Sequence, residues 1–329
     1  MYGTLPYNFY RKERRYHLSK KQLISRILQI VIVLIGISFL TFLLTYVSPG
    51  DPVRHMLTAS GTMPTEETIQ AIRQEMGLND PFFTQYFRWV GNCLKGDFGN
   101  SYMLNKPVVT LLAARLWPTL KLTIFSVILM LIMAVPLGMI SAVYKDSWID
   151  YLVRGITFLG VSLPNFWVGL LLMLVFCVKI TIFPVISSGG DFKSMVLPSL
   201  TLAIAMCSKY TRQVRTAVLE ELSSDYVTGA LARGVKFWKV LWFNVFPNSL
   251  LPLITMLGLS IGSLLGGTSV VEVIFSYPGL GNLAVSAITS CDYYLIQGYV
   301  LWIALIYMVI NLLVDLSYYF VDPRMRLKR

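Results

Sequence analysis

Residues able to do chemistry are sparse in this chain and lie far apart. Glu272 stands at the end of one apolar run and Asp315 inside another, with Asn165 and Asn311 as the neutral polar groups nearby. Ionisable groups among apolar residues are costly and face a cavity, a partner or a pathway. No Ser/His/Asp set, HExxH or paired-acid arrangement occurs in or beside the apolar runs, which excludes a hydrolytic centre. Cys93, Cys177, Cys207 and Cys291 form no CxxC pair, and His17 and His55 sit outside every apolar run, so no metal site is expected. There is no Gly-Lys dipeptide and hence no GxxxxGK[ST] phosphate loop. The chain itself is expected to bind no nucleotide through such a loop and to carry no cofactor.

The elements that must hold these residues are read from composition. Of 329 residues, 55% are hydrophobic and 14% charged, against roughly 25% charged in an ordinary soluble domain. Mean hydropathy is +0.63, which lipid contact explains. Crossing a hydrocarbon core of about 30 Å takes about 20 apolar residues. The stretches 27–47, 122–144, 155–178, 241–271 and 293–314 contain no Asp, Glu, Lys or Arg. A sixth stretch, 194–208, is shorter, and Lys209, Arg212 and Arg215 follow it at a spacing of three; it is expected to cross the membrane and continue into water. The expected fold class is an all-α membrane protein with six transmembrane helices.

Orientation follows from the basic residues. With the N-terminus in the cytoplasm, segments 1–26, 143–154, 207–247 and 322–329 lie inside and carry 19 of the 28 Lys and Arg, while basic and acidic residues balance outside. The positive-inside rule selects this topology, with both termini cytoplasmic. The net charge of +11 therefore reflects anchoring to membrane lipid, not a nucleic-acid partner: RKERR at 11–15 and RMRLKR at 324–329 are headgroup contacts. The first span is too long for a signal-peptide core and is expected to remain as an anchor.

Two outer segments carry further signals. In 48–108, Thr65 caps a short helix ending at Gly77, and a second helix runs from Pro81 to about Leu94. This segment reads as a small structured cap or a surface for another protein. In 272–292, Pro278, Gly279 and Gly281 force a turn with unusual dihedrals, expected at the outer mouth of a cavity near Glu272, with a plain surface turn as the alternative. Cys93 and Cys291 both fall outside, where a disulfide is conceivable but not demanded by spacing.

The largest inner loop contains DYVTGALARG, 225–234. Gly229, Ala230, Ala232 and Gly234 are small, allowing another protein's backbone to come close, and Tyr226, Val227 and Leu231 are the larger contacts. Gly234 permits a break, after which Phe237, Trp238, Leu241, Trp242 and Val245 form a band suited to the bilayer interface. By spacing alone, an amphipathic helix on the membrane with no partner explains the pattern equally well.

This stretch resembles the EAA loop of ABC importer permeases, in which an alanine, a glycine four residues on and a later proline mark the helix that docks into an ATPase cleft. The matching positions are Ala230 and Gly234, then Asn248, Leu251 and Pro252; Thr228 and Gly229 depart from the motif's Glu and first Ala, so its acidic contact is not carried over. SPGDP (48–52), MGLNDPFFTQYFRWV (76–90), KGDFGNSY (95–102), PVVTLLAARLWPTLKL (107–122), PLGMISAVYKDSWID (136–150), SLPNFWVGLLL (162–172) and FSYPGLG (275–281) resemble the first permease subunit of the dipeptide, oligopeptide and nickel ABC importers.

The resemblance implies a type I ABC importer permease fold in the cell membrane of a prokaryote. It also implies a second homologous permease, two ABC ATPases holding ATP and magnesium, and an extracytoplasmic solute-binding protein. The type I core is expected over 109–321, with spans at about 119–144, 155–178, 196–212, 248–271 and 293–316 after the first at 27–47, a coupling loop at 213–247 and a cytoplasmic tail at 322–329. Coupling to the ATPase is expected of Asp225, Tyr226, Thr228, Gly229, Ala230, Ala232, Arg233 and Gly234. A pathway or gate is expected of Asn165, Met256, Ser260, Glu272, Pro278 and Gly279. Peptides are the expected cargo, with nickel or a metal chelate as the alternative within the family and a secondary transporter or channel as the alternative outside it.

Overall fold

The computed structural model describes residues 20–59, 64–187 and 191–321. Most of the basic N-terminal segment and the tail at 322–329 lie outside the described residues, as do the side chains of Leu251 and Asp315. Among the described residues the chain is helical throughout, with no strand beyond one isolated bridge between Asn100 and Pro107.

α1 (Lys20–Val47) is followed by three short helices, α2 (Pro52–Ala59), α3 (Glu66–Glu75) and α4 (Phe82–Leu94). Thr65 caps α3 by accepting a hydrogen bond from the Thr68 amide at 3.3 Å. Gly77, at φ +65°, ends that turn as the sequence predicts. α4 turns Phe82, Tyr86 and Trp89 onto Phe39 and Phe42 of α1, an edge-to-face aromatic cluster with centroids about 5.5 Å apart. A cavity of 940 Å³ opens between this cap and the start of the last helix, lined by Thr45, Trp89, Tyr293 and Gln297 among others. Cys93 and Cys291 are free thiols.

The core begins with α5 (Val108–Val143), α6 (Trp148–Ser162) and α7 (Asn165–Met173), the last continuing as a π-turn through Leu174–Lys179. The single span expected at 155–178 is broken here: α6 meets α7 and its π-turn at 99°. Pro164 lacks an amide hydrogen, and Leu163 before it is pushed to extended backbone (φ −84°, ψ 132°), so the helix cannot run through. α8 (Phe192–Leu222) runs unbroken for 31 residues and makes its most extensive packing along α5. Gly138 allows this close approach, since a Cβ there would lie 2.6 Å from Val214 Cβ and 2.8 Å from the Thr211 carbonyl.

α9 (Asp225–Ala232), α10 (Phe237–Val240), α11 (Phe246–Gly267), α12 (Ser269–Ile274), α13 (Leu280–Thr289) and α14 (Tyr293–Val321) complete the chain. α1, α5 and α14 are each long and apolar enough to cross a membrane, and two bent segments, α6 with α7 and 237–250 with 252–262, the latter bent by 41° inside α11, bring the number to five if each counts as one span. α8 is not among these; its second half carries Lys209, Arg212 and Arg215. Of the six stretches read as spans, 27–47, 122–144 and 293–314 lie in α1, α5 and α14 or at their edges, 155–178 runs across the break between α6 and α7, 194–208 lies in α8, and 248–271 lies in α11 and the start of α12.

Candidate functional site

α9 hangs from the end of α8 across a two-residue turn, Ser223–Ser224. It ends at Arg233 in a Schellman cap: the Val235 amide donates to the Ala230 carbonyl (3.2 Å) and the Gly234 amide to Leu231 (2.9 Å), with Gly234 at φ +79°. No atom lies within 4 Å of a Cβ built on Gly234, so backbone conformation alone requires glycine there.

Val227 is 2% exposed and packs with Met139, Val214, Val218, Val240, Leu241, Val245 and Leu253, while Ala230 and Val235 cover the same cluster. The opposite face, Asp225, Thr228, Ala232 and Arg233, is exposed, with Gly229 half-buried at its edge. One side of the elbow is thus fixed to α5, α8 and α11, and the other offers a surface of small residues. Tyr226 donates to Glu221 Oε2 (2.6 Å) and accepts from Asn248 Nδ2 (3.5 Å), holding α9 to the ends of α8 and α11. The interfacial band expected after Gly234 is split. Leu241 and Val245 are buried in the elbow cluster, and only Trp238 and Trp242 stay exposed, at 55% and 52%.

Beside the elbow lies an ion pair that the sequence did not disclose. Asp150, fully buried, accepts from Arg215 Nε (2.8 Å) and Nη2 (2.7 Å), from the Ser141 hydroxyl (2.6 Å) and from the Asp146 amide (3.1 Å). The Arg215 guanidinium holds the Asp150 carboxyl well below the usual carboxylate range. Ser147-x-x-Asp150 reads as a helix start, but Arg215 is 65 residues away and no local signal connects them.

Against Thr119, in the first third of α5, Glu272 is also fully buried. It accepts from Thr119 Oγ1 (2.8 Å) and from the Asn282 amide (3.0 Å), and Thr119 in turn accepts from the Leu280 amide (2.8 Å). Burial pushes the Glu272 carboxyl up, opposed by those hydrogen bonds. Glu272 therefore ties α5, α12 and α13 together and does not line an open mouth. The turn also differs in its chemistry from the expectation. Ser276 carries the left-handed backbone (φ +49°), whereas Gly279 is extended (φ −101°, ψ −178°). Gly279 and Gly281 are needed for space: a Cβ would run into the Glu272 carboxylate at the first and into Ser269 at the second. Pro278 is half-buried between them and Tyr277, whose hydroxyl donates to the Pro118 carbonyl at 3.0 Å.

The remaining pathway residues do not come together. Asn165 is exposed at the start of α7. Ser260 is 9% exposed, and Met256, half-buried, packs on the cluster of Met130, Ala134, Ala203, Cys207 and Tyr210. α7 and α11 share no extended contact. No group of three or more His, Cys, Asp or Glu able to hold a metal occurs among the described residues.

Residues 134–327 match the family model described as binding-protein-dependent transport system inner membrane component, and residues 20–123 match the N-terminal model of the same membrane components. The chain is 33% identical over 323 residues to the "Probable D,D-dipeptide transport system permease protein DdpB" of Escherichia coli K12, covering 90% of this chain and 94% of that one. It is 37% identical over 305 residues to the "Glutathione transport system permease protein GsiC" of the same strain, covering 93% and 98%. Inward-facing structures of the MetNI methionine ABC transporter share the fold, with a TM-score of 0.52 at 17% identity over 65% of this chain and 97% of that chain. With an apolar all-α bundle, a Schellman-capped elbow and matches to both models, the chain belongs to the family of binding-protein-dependent transport system inner membrane components.

Proposed function

We propose that this chain is the membrane-spanning permease subunit of an ATP-driven ABC importer for short peptides, including dipeptides. The observation that carries the reading is the elbow, whose inner face is packed into the bundle while its outer face is small-sided and exposed. The names of the dipeptide and glutathione relatives support peptide cargo.

In this reading both termini and 213–247 are cytoplasmic, and 48–108 and 272–292 are extracytoplasmic. Asp225, Tyr226, Thr228, Gly229, Ala230, Ala232, Arg233 and Gly234 seat in one of two ATPase subunits, which bind ATP and magnesium. A second, homologous permease completes the pathway, to which Asn165 contributes from its exposed position. A solute-binding protein delivers cargo from outside. ATP binding closes the ATPase dimer, α9 moves with it, and α8 and α11 tilt; the differential affinity of nucleotide for the two states supplies the bias.

Reconstituted complex with its binding protein, loaded with labelled dipeptide or glutathione, tests the reading. Uptake that requires ATP hydrolysis and survives collapse of the proton gradient is expected. Uptake driven by a proton gradient without ATP would overturn it in favour of a secondary transporter.

A further inference from the structure

We propose that Asp150 is a positioning residue that makes the lower ends of α5, α6 and α8 move as one body with the elbow. The inference rests on the coupling role of α9. Its basis is geometric. α8 ends two residues before α9, so displacement of α9 acts first on α8. Seven residues before that end, Arg215 grips Asp150 through two parallel hydrogen bonds, at 2.8 and 2.7 Å. Asp150 belongs to the first turn of α6, and its carboxylate also takes the Ser141 hydroxyl of α5 at 2.6 Å and the Asp146 amide of the connecting turn at 3.1 Å. One carboxylate thereby joins three helices.

Arg154, half-exposed and 4.0 Å away, adds a second cation but makes no hydrogen bond to Asp150. An apolar contact lets helices slide, whereas a bidentate pair with its remaining lone pairs satisfied has one geometry. The position suits transmission: Asp150 is buried and Arg215 half-buried, the pair spans 65 residues of sequence, and Val214 and Ala142 beside it belong to the cluster that holds Val227 of the elbow. Without it, the torque on α8 would be spent in sliding past α6.

The test uses the full complex of permeases, ATPases and binding protein in lipid nanodiscs or proteoliposomes. The variants are Asp150→Asn, Arg215→Lys, which keeps the charge but loses the fork, and the milder Ser141→Ala. Two quantities are read: peptide imported per ATP hydrolysed, and the distance between spin labels at Tyr151 and Thr216. In the unsubstituted clamp that distance should be the same in nucleotide-free and ATP-trapped complexes. In Asp150→Asn and Arg215→Lys it should broaden, and peptide per ATP should fall at least tenfold while the ATPases remain bound. Ser141→Ala should fall two- to fivefold, and it decides the matter if the other two fail to assemble. Unchanged peptide per ATP in any assembled variant, or a label distance that changes between nucleotide states with the clamp intact, would overturn the role of Asp150. Loss of the ATPases from the complex with unsubstituted clamp would instead count against the coupling role of the elbow.

Discussion

At the scale of single residues, three positions give sharp expectations. Gly234 is free of neighbours and left-handed, so a side chain is penalised through φ alone. Gly234→Ala should weaken the elbow by about 1–2 kcal/mol, and Gly234→Asn by less, because asparagine visits this region more readily. ATPase retention during purification should rank glycine, asparagine, alanine. Thr119 both donates to Glu272 and accepts from Leu280, so Thr119→Val takes one hydrogen bond from a buried carboxylate and leaves the buried Leu280 amide without this partner. A loss of about 1–3 kcal/mol per group is expected as a lower melting temperature in detergent. Asp150 titrates below the ordinary range, so its contribution is complete above an unfolded pKa of about 3.9 and is lost as pH falls beneath it. The melting-temperature gap between the parent and Asp150→Asn should therefore be flat from about pH 5 to 8 and close only below about pH 4. Asp150 itself was visible in the sequence only as a charge to be counted, because its partner is set by the packing of α8 on α5 and not by spacing.

At the scale of helices, the α5–α8 pair is where shape matters most. Gly138 faces the Thr211 carbonyl and Val214, and neither backbone can yield without separating two helices packed along their length. Gly138→Ala should cost about 1–3 kcal/mol by overpacking and reduce the yield of folded protein, whereas Gly155→Ala, with nothing within 4 Å, should be neutral. Helix ends governed by local chemistry were legible: Thr65 and Gly77 bound α3 as predicted, and the α4 range agrees to within a residue. The break between α6 and α7 was encoded just as locally, by Leu163–Pro164, but an uncharged run of the right length concealed it. For the α12–α13 turn the glycines were rightly marked and the reason was not. Close approach to Glu272 and Ser269 depends on elements that the local sequence does not show.

For the whole molecule, two buried carboxylates are bonded to α5 at widely separated positions. Ser141 meets Asp150 at one and Thr119 meets Glu272 at the other, 22 residues apart, or about 33 Å at 1.5 Å per residue. That separation is close to the hydrocarbon thickness of a bilayer, about 30 Å. Two polar anchors a bilayer's thickness apart thus tie α5 to its neighbours, with apolar packing between them. Family and fold were accessible from sequence because motifs such as KGDFGNSY and FSYPGLG run in order along most of the chain. The relative placement of the pathway candidates was not legible in the sequence: Met256 packs half-buried on the cluster around Met130, whereas Asn165 is exposed at the start of α7. The most direct measurement places single cysteines on the exposed face of the elbow, at Thr228 and Ala232, with buried Val227 as control, and crosslinks them in cells importing peptide. Capture of an ABC ATPase from Thr228→Cys and Ala232→Cys but not from Val227→Cys is predicted. Active import with no ATPase captured from either exposed position would contradict the elbow as the point where ATP drives transport.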